Sequence, residues 1–475
     1  MIEIKNLSLT LDGNNTIFKD ISFSVDKNKV TLISGKSGSG KSSLLMRIMG
    51  FFYDSEDSEV KGEILLDGQN ILGEKSINLA GKIGYLFQDP DSQLCTFTVE
   101  DEIAFGLENL NRERKYIENK IDEVLKLLNI EFLKFRDLNT LSGGEKQKVA
   151  LASILAMDPE LILLDEPTAN LDPKSTKEIL NVIEYLKEKE HKTILIIEHK
   201  VQEFKDIIDD VIIFDSNSAS KVKKDSFLEK YMSDYELPKH IENKTGSNIL
   251  EVKNLYFSYN DKDVLKNINL NLKSGEILGI AGYNGAGKTT FTKVLIGFNK
   301  PKKGSIYIDG LDIKSMSKIK LGEYLGLVFQ NPEHQFIKLR VEDELRLSLN
   351  IKTKDELYVK SKIDEYLEMF DLLQNRKDNP FLLSQGQKRR LSTACMMINN
   401  QKILILDEPT YGQDIENLKK LVNLLYKINE KGVSIIIITH DMQLLSKSCD
   451  RVIYLEKGEI NFEGKADEFV RKGIF

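Results

Sequence analysis

At 475 residues, with 41% hydrophobic and 30% charged residues, the chain has room for two or more domains, each with its own core. A net charge of −7 argues against a protein that coats nucleic acid, though not against a local basic patch. Cys95, Cys395 and Cys449 are widely spaced and lack a C-x-x-C pattern, so they read as reduced thiols; no apolar run nears the roughly 20 residues of a membrane span.

Residues 2–11 and 21–25 carry strand patterns, and 63–66 a third, suited to an antiparallel sheet. The apolar run 30–33 reads as a buried strand and 43–49 as a helix. Between them, Gly35-Lys36-Ser37-Gly38-Ser39-Gly40-Lys41-Ser42 fits G-x-x-x-x-G-K-[ST], a loop that wraps nucleotide phosphates. Glycines let backbone N–H groups turn inward, Lys41 adds positive charge, Ser42 offers a hydroxyl to Mg²⁺, and the next helix presents its positive end. Ser43 extends the set. Residues 100–140 turn helical, with Ile121, Val124, Leu125 and Leu128 on one face. Leu141-Ser142-Gly143-Gly144-Glu145 opens another helix, and Ser with Gly at a helix start makes a second anion-binding surface.

The runs 161–164 and 194–197 are almost wholly apolar, as strands covered on both faces of a parallel sheet are. The first ends in Asp165-Glu166. In phosphate-loop proteins an acid here binds the nucleotide's Mg²⁺, which assigns Asp165 to the metal and leaves Glu166 to orient or polarise water. A polar stretch, 225–248, follows and reads as a short joint rather than a long tether.

Beyond it the pattern returns. Strand patterns occupy 250–259, 268–272 and 305–308, and helical spacing occupies 342–380. Gly282-Tyr283-Asn284-Gly285-Ala286-Gly287-Lys288-Thr289, with Thr290, repeats the loop after 277–281; Ser384-Gln385-Gly386-Gln387 repeats the helix start; Asp407-Glu408 closes the apolar run 403–406, and 435–438 is its neighbour. Gly35 and Gly282 lie 247 apart, whereas the Gln88/Gln330, Ser142/Ser384 and Asp165/Asp407 pairs each lie 242 apart. The five extra residues of the first half fall in the acidic loop 53–60. A period this long is a duplicated domain, not a solenoid unit. The expected division is 1–230, a linker 231–247, and 248–475.

Together, the phosphate loop, the LSGGE-like signature and the apolar strand ending Asp-Glu resemble the ATPase domain of ATP-binding cassette (ABC) proteins, twice over and across nearly the whole chain. The resemblance implies an α/β fold: two P-loop NTPase domains, each with a mixed, mostly parallel sheet core, an antiparallel β subdomain and a helical subdomain. It implies ATP and Mg²⁺ as cofactors. Gln88 and Gln330 match the Q-loop glutamine that contacts Mg²⁺ and the attacking water, His199 and His440 the switch histidine at the γ-phosphate, and Asp172 and Asp414 the D-loop (169–172, 411–414). With Glu166 and Glu408 these glutamines and histidines form the expected catalytic set; Ser42, Gln88, Asp165, Thr289, Gln330 and Asp407 form the metal set. Cassettes of this family pack head to tail, so the loop at 35–42 is expected to be closed by Ser384–Gln387, and that at 282–289 by Ser142–Glu145.

The halves differ. Tyr259 fills the family's adenine-stacking position, where the first half has Leu11, with Phe18 as a nearby candidate; Gln385 replaces the commoner Gly in the second signature. Both departures are expected to weaken ATP binding at the first site while leaving both sites catalytic. Phe87-Gln88-Asp89-Pro90-Asp91-Ser92-Gln93 and Phe329-Gln330-Asn331-Pro332-Glu333-His334-Gln335 share F-Q-[DN]-P-x-x-Q. With Tyr411-Gly412-Gln413-Asp414, this is similar to the ATPases of energy-coupling factor (ECF) importers of vitamins or of cobalt and nickel ions. That resemblance implies a transmembrane coupling protein and a small substrate-binding membrane protein as partners, with 89–105 and 331–347 lining grooves for the coupling protein. It implies a cytoplasmic chain, peripheral on the cytoplasmic face of the membrane. A tandem ABC ATPase acting on ribosomes or nucleic acid, or serving sugar import, is the competing reading; the short joint, acidic balance and absence of a long heptad insertion weigh against the former.

Overall fold

The computed structural model describes every residue except 12–14, 52–57, 170, 235, 242–245, 261, 351–354, 411 and 475. Most of the acidic loop, Asn170 and Tyr411 of the D-loop motifs, and Tyr235, Lys244 and Thr245 of the joint therefore lie outside the described residues. The chain divides into two compact units, Met1–Tyr235 and Glu236–Phe475.

In the first unit Asn15–Val25, Ile2–Leu11, Ser58–Leu66 and Gln69–Asn70 form a four-stranded antiparallel sheet in that order. A six-stranded sheet runs Ser218–Val222, Asp210–Asp215, Val30–Ser34, Thr193–Ile197, Leu161–Asp165, Ile83–Leu86. All its pairings are parallel save that of the Ser218–Val222 edge. The apolar runs do not alternate because both faces are buried. Leu161 and Leu163 join the core shared with the antiparallel sheet, while Ile162 and Leu164 join the core under the helices.

The second unit repeats this. Its antiparallel sheet runs Lys262–Lys273, Asn248–Tyr259, Lys303–Ile308, Leu311–Asp312, and its mixed sheet Leu325–Val328, Ile403–Asp407, Ser434–Ile438, Ile277–Ala281, Arg451–Glu456, Glu459–Lys465. Ile403 and Ile405 face one core, Leu404 and Leu406 the other. The helical arms are Val99–Asn109, Arg114–Leu127 and Gly143–Ala156, then Val341–Asn350, Glu356–Met369 and Gln385–Met397.

The joint is more ordered than its polarity suggests. A helix, Lys224–Asp234, packs Phe227, Leu228 and Tyr231 against the first unit's core. These positions share one helical face, a signal weakened by the lysines and acids around them. Leu237 is 2% exposed within the second unit's core, and Tyr426 Oη donates to the Pro238 carbonyl at 2.9 Å. Among the described residues, no helix is long and apolar enough to cross a membrane.

Candidate functional site

Each candidate site gathers at the C-terminal ends of the parallel strands, where βα loops leave the sheet. Val30–Ser34 feeds the phosphate loop, which ends at Gly40 (φ 95°) before the helix Lys41–Ile48; Ile277–Ala281 feeds its twin, ending at Gly287 (φ 105°) before Lys288–Leu295. Both glycines adopt a left-handed backbone that a side chain would strain. A Cβ on Gly35 would lie 2.1 Å from the Phe214 carbonyl oxygen, and one on Gly282 would lie 2.5 Å from that of Leu455. The lysines point into the loops. Lys41 Nζ donates to the carbonyls of Gly35 (2.8 Å) and Lys36 (2.7 Å), and Lys288 Nζ to those of Gly282 (2.6 Å) and Tyr283 (3.2 Å).

The acids at the strand ends converge on the loops. Asp165, Glu166, Asp407 and Glu408 are all buried. Burial pushes Asp165 up to about 7, and the Glu166 charge adds to this; Ser42, Tyr85 and Lys41 pull the other way. Burial and Glu408 push Asp407 up to about 6, against Lys288 and Arg389. Each glutamate shows the opposite balance: burial opposes its charge, but histidine and lysine outweigh it. His199 and Lys41 hold Glu166 low, with help from Gln88, and His440 and Lys288 hold Glu408 down at about 2. The contacts are direct: His199 Nε2 lies 3.3 Å from Glu166 Oε1, His440 Nδ1 lies 3.0 Å from Glu408 Oε2, and Lys288 Nζ lies 3.8 Å from Glu408 Oε1. Burial works against protonation of His199 as well, yet Glu166 raises it overall.

Both glutamates adopt positive φ, 48° at Glu166 and 45° at Glu408. A β-carbon makes this region costly, and such strain persists where the surroundings impose it. Here the imposing contacts are the N–H bonds from Glu166 to the Ile197 carbonyl (2.9 Å) and from Glu408 to that of Ile438 (2.8 Å), at the ends of the strands before the switch histidines. The base candidate and the histidine strand are thereby tied together in both units.

Asp165 Oδ1 is buried with no hydrogen-bond partner among the described residues, while its other oxygen accepts from Tyr85 at 3.3 Å. A buried carboxylate oxygen beside the Ser42 hydroxyl is a donor set suited to a hard divalent cation.

The Q-loop motif has an internal job. Asp89 and Asn331 cap short turns, 90–92 and 332–335, by accepting from the N–H groups of Asp91 and Glu333. Gln93 Oε1 accepts from Phe87 N–H at 3.0 Å, and Gln335 Oε1 from Phe329 N–H at 3.3 Å. F-Q-[DN]-P-x-x-Q thus folds back on itself and fixes the strand end that carries Gln88 or Gln330. The first of these lies on Glu166; Gln330 is exposed at its loop.

The signature segments begin helices through capping boxes. Ser142 N–H donates to Glu145 at 2.8 Å, and Ser384 N–H to Gln387 at 2.9 Å; in return each serine hydroxyl accepts from the third residue's N–H. A Cβ on Gly386 would meet the Asn417 side-chain amide at 2.4 Å, so that amide would have to move. These segments bond within themselves and to Arg136 or Asn375, apart from the phosphate loop's own contacts. Asp172 and Asp414 cap the helices Pro173–Glu188 and Ile415–Glu430.

Tyr259 is 45% exposed, its ring edge-on to Phe257 at 4.8 Å and its hydroxyl held by Asn299 at 2.9 Å. Leu11 is half-buried, and Phe18 is fully buried against Phe214, so Phe18 offers no stacking surface; its phase in the strand turns it to the core.

Three residues escaped sequence reasoning. Glu198, 3% exposed, accepts from the N–H groups of His199 (2.8 Å) and Lys200 (3.0 Å) and from the Thr168 hydroxyl (2.6 Å), bracing the switch loop; its counterpart is Thr439. Tyr231 donates to the His199 carbonyl. Arg389 grips the second Q-loop. The readable signal was divergence between aligned halves, Glu198 against Thr439 and Gln147 against Arg389.

Comparison with known proteins agrees with this geometry. Residues 18–169 and 265–411 match the ABC transporter family. A Bacillus subtilis protein provisionally named HMP/thiamine import ATP-binding protein YkoD is 36% identical over 503 residues, covering 98% of this chain and 91% of its own length. A Methanosarcina mazei protein, provisionally named an ABC transporter ATP-binding protein, is 34% identical over 469 residues, covering 97% and 94%. The solved structure of cbiO1 from Clostridium perfringens, described as part of the ABC transporter complex cbiONQ, aligns with 48% of this chain and 92% of its own, at 32% identity and a TM-score of 0.46. The chain therefore belongs to the ABC transporter family, as a protein with two ATP-binding cassettes in tandem that hydrolyses ATP.

Proposed function

We propose that the chain is the energy-coupling ATPase of an ECF-type importer for a vitamin or a transition-metal ion, with a thiamine-related cargo suggested by its Bacillus relative's name. In each cassette the phosphate loop and Lys41 or Lys288 bind the nucleotide, and Glu166 or Glu408 orients a water for in-line attack on the γ-phosphorus. The oxygen–phosphorus bond to the β-phosphate breaks as the new one forms; ADP leaves, and the water's proton passes toward the glutamate. Phosphate competes for the lysine and histidine that now hold each glutamate. Ser42, Asp165 and Gln88, and Thr289, Asp407 and Gln330, would hold Mg²⁺, whose charge would offset that of the phosphates. The signature serines open helices whose N-termini are anion-binding surfaces.

The observation that carries the import reading is an exposed large apolar residue at the equivalent position of both units, Phe97 and Leu339, 242 residues apart, each with a second exposed apolar residue near it. Just beyond the first Q-loop motif, Phe97 is 80% exposed, and Phe135, on the segment hydrogen-bonded beside it, is 77% exposed. Beyond the second, Ile337 (72%) and Leu339 (71%) are exposed. Large exposed apolar groups of this kind mark interaction surfaces. The nearby acids serve the domain itself: Glu100 Oε1 lies 3.6 Å from Lys134 Nζ, Glu342 pairs with Arg376 at 2.7 Å, and Glu102 and Glu344 accept from backbone N–H groups. The apolar residues are thus the cleaner probes. Phe97→Asp with Phe135→Asp is expected to cost about 2 kcal/mol or more, roughly 30-fold in affinity for a polytopic membrane partner, with the isolated chain's ATPase rate intact. Undiminished copurification from membranes would overturn the docking assignment.

A further inference from the structure

The halves diverge at one buried position of the signature helix. Residues 147 and 389 lie 242 apart, the offset that relates Gln88 to Gln330. Arg389 is 1% exposed, and its guanidinium donates to two successive carbonyls, those of Phe329 and of Gln330, the latter at 2.6 Å from Nη2. One planar, rigid fork thus holds both peptide units at the Q-loop glutamine. Burying a guanidinium is costly, and the two carbonyls bonded to Nη1 and Nη2 offset part of that cost, so the carbonyls and the cation depend on each other. Gln147 is equally buried at 1%, yet both polar atoms of its amide lack a hydrogen-bond partner among the described residues. The bond from Gln93 or Gln335 to the Q-loop N–H exists in both units and cannot account for the difference. In the first unit Gln88 instead meets Glu166 through its own side chain.

We propose that Arg389 is a positioning residue that clamps the backbone of Gln330 to the signature helix, and that Gln147 leaves the first Q-loop without this clamp. The two cassettes therefore hold their Q-loop glutamines differently: the second has a main-chain anchor at the glutamine that persists whatever Gln330's side chain contacts, and the first lacks that anchor. Both signature helices also hold the turn beyond the glutamine, through Lys146 to Asp91 and Gln93 to the Ala150 carbonyl in the first unit and through Lys388 to Glu333 and Ser392 to Gln335 in the second, so what Arg389 adds is a direct hold on the glutamine's own peptide units. The consequence for catalysis rests on the roles assigned above to Gln88 and Gln330; the clamp itself does not.

Hydrogen–deuterium exchange of the full chain, without added nucleotide or metal, tests the clamp. Arg389→Gln is expected to speed exchange at residues 329–331 by about tenfold or more while leaving peptides outside the signature helix and Q-loop unchanged. Gln147→Arg, which gives the first unit the same fork, is expected to slow exchange at 87–89 several-fold. Exchange at both loops within about twofold of the parent would overturn the proposal. Should Arg389→Gln fail to fold, Gln147→Arg decides alone. In a Glu166→Gln background, Arg389→Gln is further expected to raise the Mg²⁺ half-saturation and lower kcat by about tenfold with ATP KM little changed, and Arg389→Lys to lie between. A generally damaged fold would lower kcat without moving the Mg²⁺ dependence. Altered exchange with no loss of ATPase in Glu166→Gln or Glu408→Gln would keep the clamp and sink the site assignments; the reverse would sink only the clamp.

Discussion

Replacing Tyr259 by leucine gives the second cassette the residue type that the first already has at its aligned position, Leu11. The Tyr259 ring is presented rather than buried: its edge contact with Phe257 and its hydrogen bond from Asn299 fix its plane, and 45% of it stays open. A base stacked on a preset aromatic ring contributes about 1–3 kcal/mol, which is roughly 5- to 150-fold in affinity. In the first cassette the nearby candidate, Phe18, is fully buried. ATP KM should be measured in Glu166→Gln, where only the second cassette keeps its proposed base, and in Glu408→Gln, where only the first does. The expected KM is about 5-fold or more higher in Glu408→Gln. Tyr259→Leu should erase most of that gap by raising KM in the Glu166→Gln background alone. Equal KM values in the two backgrounds, or a Tyr259→Leu variant with unchanged KM, would refute the assignment of adenine stacking and the asymmetry built on it.

Other expectations follow from packing and burial. Gly35→Ala drives a Cβ to 2.1 Å from a backbone oxygen, so it should cost about 1–3 kcal/mol and weaken ATP binding; a variant with parental thermal stability would show that the loop yields freely. Leu237→Ala removes a side chain that is 2% exposed, at about 2–5 kcal/mol, lowering the second unit's melting transition by about 4–20 °C; a shift below about 2 °C would mean that the joint is not anchored. Burial raises Tyr366 and Tyr426 from 10.0 to about 12. The unfolded tyrosines ionise first, so this stability is whole below pH 10 and lost as pH rises toward 12, by up to about 3 kcal/mol each. Tyr366→Phe and Tyr426→Phe should therefore each flatten the fall in urea stability between pH 9 and 12, and an unchanged slope would count against these shifts.

The glutamate–histidine pairs show what kind of information each level holds. That Asp165-Glu166 and Asp407-Glu408 end buried strands was legible, because a fully apolar run followed by acids leaves little choice of structure. The positive φ at both glutamates was not. It arises from N–H bonds to strands more than 25 residues further on, and no local preference of Glu encodes it. Likewise F-Q-[DN]-P-x-x-Q was legible as a recurring spacing, but its final glutamine's return to the Phe N–H is a side-chain geometry that spacing alone does not specify.

Local chemistry by itself determined the parts with short-range causes: the phosphate loops, from glycine freedom and the lysine at a helix start; the capping boxes, from Ser with Glu or Gln three residues on; and the twofold repeat, from constant offsets. Only the tertiary structure decided what depends on distant atoms meeting. It turned Phe18 into the core, made a helix of Lys224–Asp234 because the first core receives Phe227 and Tyr231, and gave Arg389 two carbonyls from a segment about 60 residues earlier while leaving Gln147 unpaired among the described residues. Two residues on one helix register read alike as polar; burial and reach separate them, and both are properties of the packed chain.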